Sequence, residues 1–135
     1  MPFVLDASIA ACWAFQDEDH PPADIAFTRI RKDEAVVPSI WWFEVRNILV
    51  VNERRRRITE SDTFGYLRDL SRLSIRIDGQ PDETSILQLA RAHRLSVYDA
   101  AYLALARREG IPLATLNAEL ANAARLECVL VLGEN

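Results

Sequence analysis

Lysine is almost missing from this sequence: of its 16 basic residues only Lys32 is not an arginine. Arginine is the better bidentate partner for phosphate and carboxylate, but a GC-rich genome accounts for the bias more simply. Cysteine is scarce as well. Cys12 and Cys128 lie far apart, each in an apolar segment. This excludes a disulfide framework and a cysteine zinc site, and both read as reduced core residues of a cytosolic protein. No apolar run approaches the roughly 18 residues of a membrane span. The N-terminus has neither the basic region nor the long apolar stretch of a secretory signal. Positive charge is in short supply: the net charge is −4, which argues against a general nucleic-acid coat protein. A local nucleic-acid site remains open where bound cations supply the charge. Repeats and low-complexity segments are absent. His20 and His93 stand in polar contexts without ligand spacing and read as surface residues.

What is present is ordinary for a globular protein: 135 residues, half of them hydrophobic and 27% charged. That is enough for one domain, residues 1–135, with a real core. Apolar runs and helical periodicity predict strands at 3–5, 35–37, 74–78, 111–115 and 128–132. Helices are predicted at 8–15, 22–32, 39–54, 59–72, 82–94, 97–109 and 118–125, with a loop-like cluster at 16–22. Start and stop signals agree. Pro38-Ser39 opens one helix. Thr59 caps another, with Glu60 and Asp62 in its first turn. Ser96 and Asp99 have capping-box spacing, and Gly110 followed by Ile111-Pro112 ends that helix. Short apolar strands alternating with helices imply an α/β fold whose mostly parallel sheet is covered on both faces. Ligands of such sheets collect at the carboxyl ends of the strands.

Most of the 20 acidic residues stand where solvent is expected, as in the run at 17–20, Asp33-Glu34 and Asp82-Glu83. Three do not. Asp6 follows the strand FVL, Glu44 lies in SIWWFEVRNIL, and Asp99 lies in SVYDAAYLALA. Each has a plain structural explanation. Asp6 could cap the next helix, Glu44 could pair with Arg46 or Asn47, and Asp99 could be the reciprocal partner of Ser96. Together they say more. Three carboxylates from distant segments would repel one another if gathered, and a divalent cation removes that repulsion. Oxygen ligands without His or Cys select a hard ion, Mg²⁺ or Mn²⁺, over zinc.

The segments VLDAS, VPS…EVRN, SVYDAAYLALA and LATLN…L…AA, in this order and spacing, resemble the PIN-domain ribonucleases, specifically the toxins of VapBC-type toxin–antitoxin pairs. The resemblance covers essentially the whole chain. It implies a three-layer α/β/α fold, Mg²⁺-dependent hydrolysis of RNA phosphodiester bonds, a cytoplasmic setting, an antitoxin seated against the early helices, and a homodimer. It places the acidic positions on Asp6, Glu44 and Asp99, and the supporting hydroxyls on Ser8 and Thr115. A further acidic position of the pattern falls on Asn117. Its amide oxygen can serve a metal but brings no charge, which bears on whether a second ion binds. Glu119, two residues along a helix, is expected to point away and not to substitute.

The chemistry these residues allow is metal-assisted in-line hydrolysis. The run NERRRRITESD at 52–62 reads as a solvated face that complements a helix C-terminus, with contact to an RNA backbone as the alternative. Adjacent helical positions point about 100° apart, so one of Trp41 and Trp42 is expected to face outward. Two other readings compete. A phosphoacceptor receiver domain needs a late lysine, and Lys32 stands far too early. A PIN fold weakened through Asn117, acting by binding its antitoxin or RNA, would not cleave RNA in a metal-dependent way.

Overall fold

The computed structural model describes residues 1–15 and 19–134. Its sheet contains β1 (Phe3–Leu5), β2 (Ala35–Pro38), β3 (Ile75–Asp78) and β4 (Leu113–Ala114), all parallel, in the order β3-β2-β1-β4. The helices among the described residues are α1 (Ala7–Cys12), α2 (Pro21–Arg29), α3 (Ile40–Arg54), α4 (Glu60–Leu70), α5 (Glu83–His93), α6 (Val97–Glu109) and α7 (Ala118–Leu126). The fold is a three-layer α/β/α arrangement, as the alternating pattern predicts. Residues 16–18 of the expected loop at 16–22 lie outside the described residues.

The strands read as their positions require. Phe3, Val4, Leu5, Ala35, Val36 and Val37 are wholly buried, the continuous apolar run of central parallel strands. Edge strand β3 is different: Arg76 and Ile77 are exposed, and Arg76 pairs with Glu34 at 3.2 Å, a charged edge of the kind that discourages pairing with another chain. Helix α6 lies on β1 and β2 with α5 and α7 against it, while α1, α2 and α3 pack together. Tyr66 of α4 donates its hydroxyl proton to the carbonyl of Ala10, tying α4 to α1. The largest wholly buried side chains, Tyr102, Phe3, Leu5 and Ile9 among them, each contribute roughly 1.5–3 kcal/mol by burial.

Helix ends follow their signals. Thr59 and Asp62 form a reciprocal capping box on α4. Gly110 ends α6 in the left-handed region, φ 65°. On α3 the buried stripe is Trp41, Val45, Leu49 and Asn52, and Trp42 is left 44% exposed, the outward tryptophan expected of the pair. In the arginine run, Arg57 donates to Asn52 Oδ1 at 2.8 Å and lies over the Phe15 ring, so it braces the end of α3.

Three expectations are corrected. The strand at 128–132 reduces to one parallel bridge between Leu113 and Val131. It is bracketed by left-handed residues, Cys128 at φ 61° and Gly133 at φ 89°, which end the extended run on either side. The same turn carries Cys128 to the surface instead of into the core. His93, read as a surface residue, is mostly covered, with a side chain 12% exposed and bonded to Glu127.

Candidate active site

Parallel pairing of Leu5 with Ala114 carries the next residue of each strand to the same carboxyl edge. Asp6 and Thr115 therefore stand side by side, and the Asp6 N–H donates to the Ala114 carbonyl at 3.0 Å. Asp6 occupies the N-cap position of α1, yet its side chain makes no capping bond. Its Oδ2 instead accepts from Ser8 Oγ at 2.7 Å and from Thr115 Oγ1 at 2.6 Å. Those hydroxyls in turn accept backbone N–H groups, Ser8 from Leu116 and Thr115 from Asn117, so their own protons are directed at Asp6. The carboxylate is 5% exposed. Burial pushes its pKa up, the two hydroxyls pull it down, and the charge of Asp99 pushes it up further.

Glu44 lies on α3 three residues after buried Trp41, at the margin of the apolar stripe. Arg46 does not pair with it; that guanidinium sits 3.9 Å over the Trp42 ring and donates to the Trp42 carbonyl. Glu44 Oε1 accepts from the hydroxyl of Tyr102 at 2.6 Å. Tyr102 stands one helical turn after Asp99 on α6 and is wholly buried. Desolvation raises the Glu44 pKa, the Tyr102 bond lowers it, and the charges of Asp6 and Asp99 raise it.

Asp99 is half of the expected capping box. Ser96 Oγ accepts the Asp99 N–H, but Asp99 Oδ2 accepts from Asn117 Nδ2 at 3.2 Å across to α7. Its pKa is raised by desolvation and next by the charge of Glu119. Asn117 is the extended N-cap of α7, φ −80° and ψ 113°, and Glu119 in the first turn behind it is exposed.

The structure thus brings Asp6, Glu44, Asp99, Ser8, Thr115 and Asn117 to one edge of the sheet. Sequence reasoning missed Tyr102; the spacing Asp99–Tyr102, one turn apart on α6, was the available signal for it. None of the three acids pairs with an arginine or lysine among the described residues. Their donor set is oxygen only, Asp99 raises the proton affinity of Asp6, and both raise that of Glu44, which is the electrostatic environment a hard divalent cation fits. Among the described residues, no three His, Cys, Asp or Glu side chains are gathered closely enough to hold a metal ion.

Comparison with known proteins agrees with this architecture. Ribonuclease VapC3 of Pyrobaculum aerophilum is 29% identical over 124 residues, 90% of this chain and 93% of that protein. PAE2754 of the same organism superposes with a TM-score of 0.72 at 20% identity, covering 91% of this chain and 84% of the other. Mycobacterium tuberculosis VapC20, a sarcin–ricin loop cleaving toxin, superposes at 0.62 with 14% identity, over 90% of this chain and 94% of its own. The sequence model of the PIN domain matches residues 3–126, nearly the whole length: the chain belongs to the PIN-domain family.

Proposed function

We propose that this chain is a Mg²⁺-dependent ribonuclease that hydrolyses RNA phosphodiester bonds and acts as the toxin of a toxin–antitoxin pair. One observation carries the reading: three carboxylates converge at the carboxyl edge of the sheet without a cationic partner. The likeness to ribonuclease VapC3 and to the toxin VapC20 supports it. Asp6, Glu44 and Asp99 would hold the cation. Bound there, a divalent ion neutralises the phosphate and makes a water a better nucleophile. Asp6 is the deep ligand, kept in one orientation by Ser8 and Thr115. Glu44 and Asp99 are only half-buried, so the site opens to a substrate on their side. Neither histidine joins the cluster: His93 is held by Glu127 and His20 is the N-cap residue of α2. Proton removal from the attacking water therefore falls to a carboxylate.

The antitoxin surface is proposed on α3 and α4, where Trp42, Phe43 and Phe64 are 44%, 63% and 71% exposed, and the toxin is proposed to pair as a homodimer. Exposed aromatic groups of this kind mark interaction faces. Among the described residues no helix is long and apolar enough to cross a membrane. One observation favours the alternative of a weakened module acting by binding: the uncharged amide at position 117. A single experiment separates the two. Purified protein should cleave RNA with Mg²⁺ or Mn²⁺, lose this in EDTA, and lose it in Asp99→Asn with the fold intact. Cleavage by Asp99→Asn at the wild-type rate overturns the assignment.

A further inference from the structure

Asn117 replaces an acid in the pattern this sequence otherwise matches, and the fold engages both ends of its amide. Oδ1 accepts the backbone N–H groups of Glu119 and Leu120 at 2.9 and 3.3 Å. Only an oxygen can receive two N–H donors, so the orientation of the amide is settled. Nδ2 turns the other way and donates to Asp99 Oδ2 at 3.2 Å. The backbone N–H of Asn117 donates to Thr115 Oγ1 at 3.0 Å, and that hydroxyl donates to Asp6 Oδ2 at 2.6 Å. The turn at 115–117 is therefore one continuous hydrogen-bonded path between two carboxylates that come from distant segments of the chain.

Building on the ribonuclease reading, we infer that Asn117 is a positioning residue and not a metal ligand: its amide clasps Asp99 to the start of α7, fixes the spacing of the Asp6 and Asp99 carboxylates, and leaves the cation to Asp6, Glu44 and Asp99. For Oδ1 to reach a cation the amide has to rotate. Rotation breaks both capping bonds and sets Nδ2 donors against the N–H donors of Glu119 and Leu120. An aspartate at 117 would keep the cap through one oxygen and place the other against Asp99, a contact that holds only with a shared proton or cation. The amide makes the same contact with neither. Asp99 is thus held in place before any metal arrives, by the kind of outer-shell hydrogen bond that orients ligands in metal sites.

Two measurements on the full chain test this, both with Mg²⁺ alone. Amide hydrogen exchange by NMR, with and without saturating Mg²⁺, reads the cap; protection at Glu119 and Leu120 should not change. Titration calorimetry reads affinity in Asn117→Ser. Serine caps a helix as well as asparagine does but is too short to reach Asp99. This variant should keep the wild-type melting temperature in metal-free buffer and lose about 10- to 100-fold in Mg²⁺ affinity. Loss of protection at the two amides on adding Mg²⁺ overturns the clasp and makes Oδ1 a ligand. Unchanged affinity in Asn117→Ser also overturns it and makes Asn117 a helix cap only. Absence of any Mg²⁺ binding by the wild type overturns the ribonuclease reading, and this inference with it.

Discussion

Asp6 and Glu127 are both carboxylates drawn largely out of solvent, and the chain treats them in opposite ways. Glu127 meets a cation and an imidazole: Arg107 donates to one oxygen at 2.9 Å while bracing Ser85, and His93 Nε2 lies 2.7 Å from the other. The His93 bond, with help from Arg107, holds its carboxyl below the usual glutamate range despite some desolvation. Asp6 meets hydroxyls and no cation among the described residues, and burial holds its pKa high. Both are hydrogen-bonded, so neither is an orphan in the sense that makes burial prohibitive. The difference is charge. Glu127 is neutralised by its own chain and welds α5, α6 and the end of α7 together. Asp6, with Glu44 and Asp99, is oriented but left negative. A carboxylate cluster that the fold orients without neutralising is one whose counter-charge comes from outside.

The largest expected effect breaks the Asp6 side. Asp6→Asn should lower RNA cleavage a thousandfold or more, about 4 kcal/mol of transition-state stabilisation. The same change should raise the melting temperature of the metal-free protein, because it removes a buried charge that the folded state disfavours. Cleavage assays and thermal melts on one preparation check both; a lowered melting temperature would mean the charge is neutralised within the chain after all.

A smaller effect sharpens the role of neutral donors. Tyr102→Phe removes one hydroxyl and leaves the buried ring in place. Mg²⁺ affinity should fall about 10- to 100-fold while the circular dichroism spectrum is unchanged. Wild-type affinity would show that Glu44 needs no support from Tyr102.

The smallest effect lies on the Glu127 side and is read through pH. A raised carboxyl pKa adds stability as pH falls through the folded value, complete below the unfolded value near 3.9 for aspartate. A lowered one, as at Glu127, contributes stability above roughly pH 4.3, lost as pH falls through its folded value. The metal-free protein should therefore gain stability on mild acidification from neutrality and lose it in stronger acid. Glu127→Gln should cost about 1 kcal/mol near neutrality, discounted for partial exposure, weaken the acid-side loss and leave cleavage alone. Melts across the pH range decide it; an unchanged acid limb would place the loss elsewhere.

The elements were legible because period and punctuation agreed: the runs FVL and AVV, the caps Thr59 and Ser96, and the stop at Gly110 each carried a local physical signal. Asp6, Glu44 and Asp99 stood out because charge was written against apolar neighbours. What local sequence does not encode is which atom meets which. The orientation of the Asn117 amide is decided by two N–H groups of α7 and by Asp99 from another helix. Tyr102 read as core because tyrosine in an alanine-rich helix usually is core; its hydroxyl acquires a role only when α3 brings Glu44 to it. Cys128 and His93 were misplaced for the same reason, since a single left-handed residue and a long-range partner set their exposure.

Because β1 lies between β2 and β4, Asp6 acquires its Thr115 partner across 109 residues of chain. A ribosome adding about 5–20 residues per second needs about 5 to 20 seconds to cover that interval. Throughout it the nascent polypeptide carries Asp6 on a strand whose β4 side is unfilled, lacking Thr115 and the Asn117 clasp. The acid cluster therefore matures late in synthesis, and a message cut short before codon 115 yields a product that contains the first acid of the site but never the geometry around it.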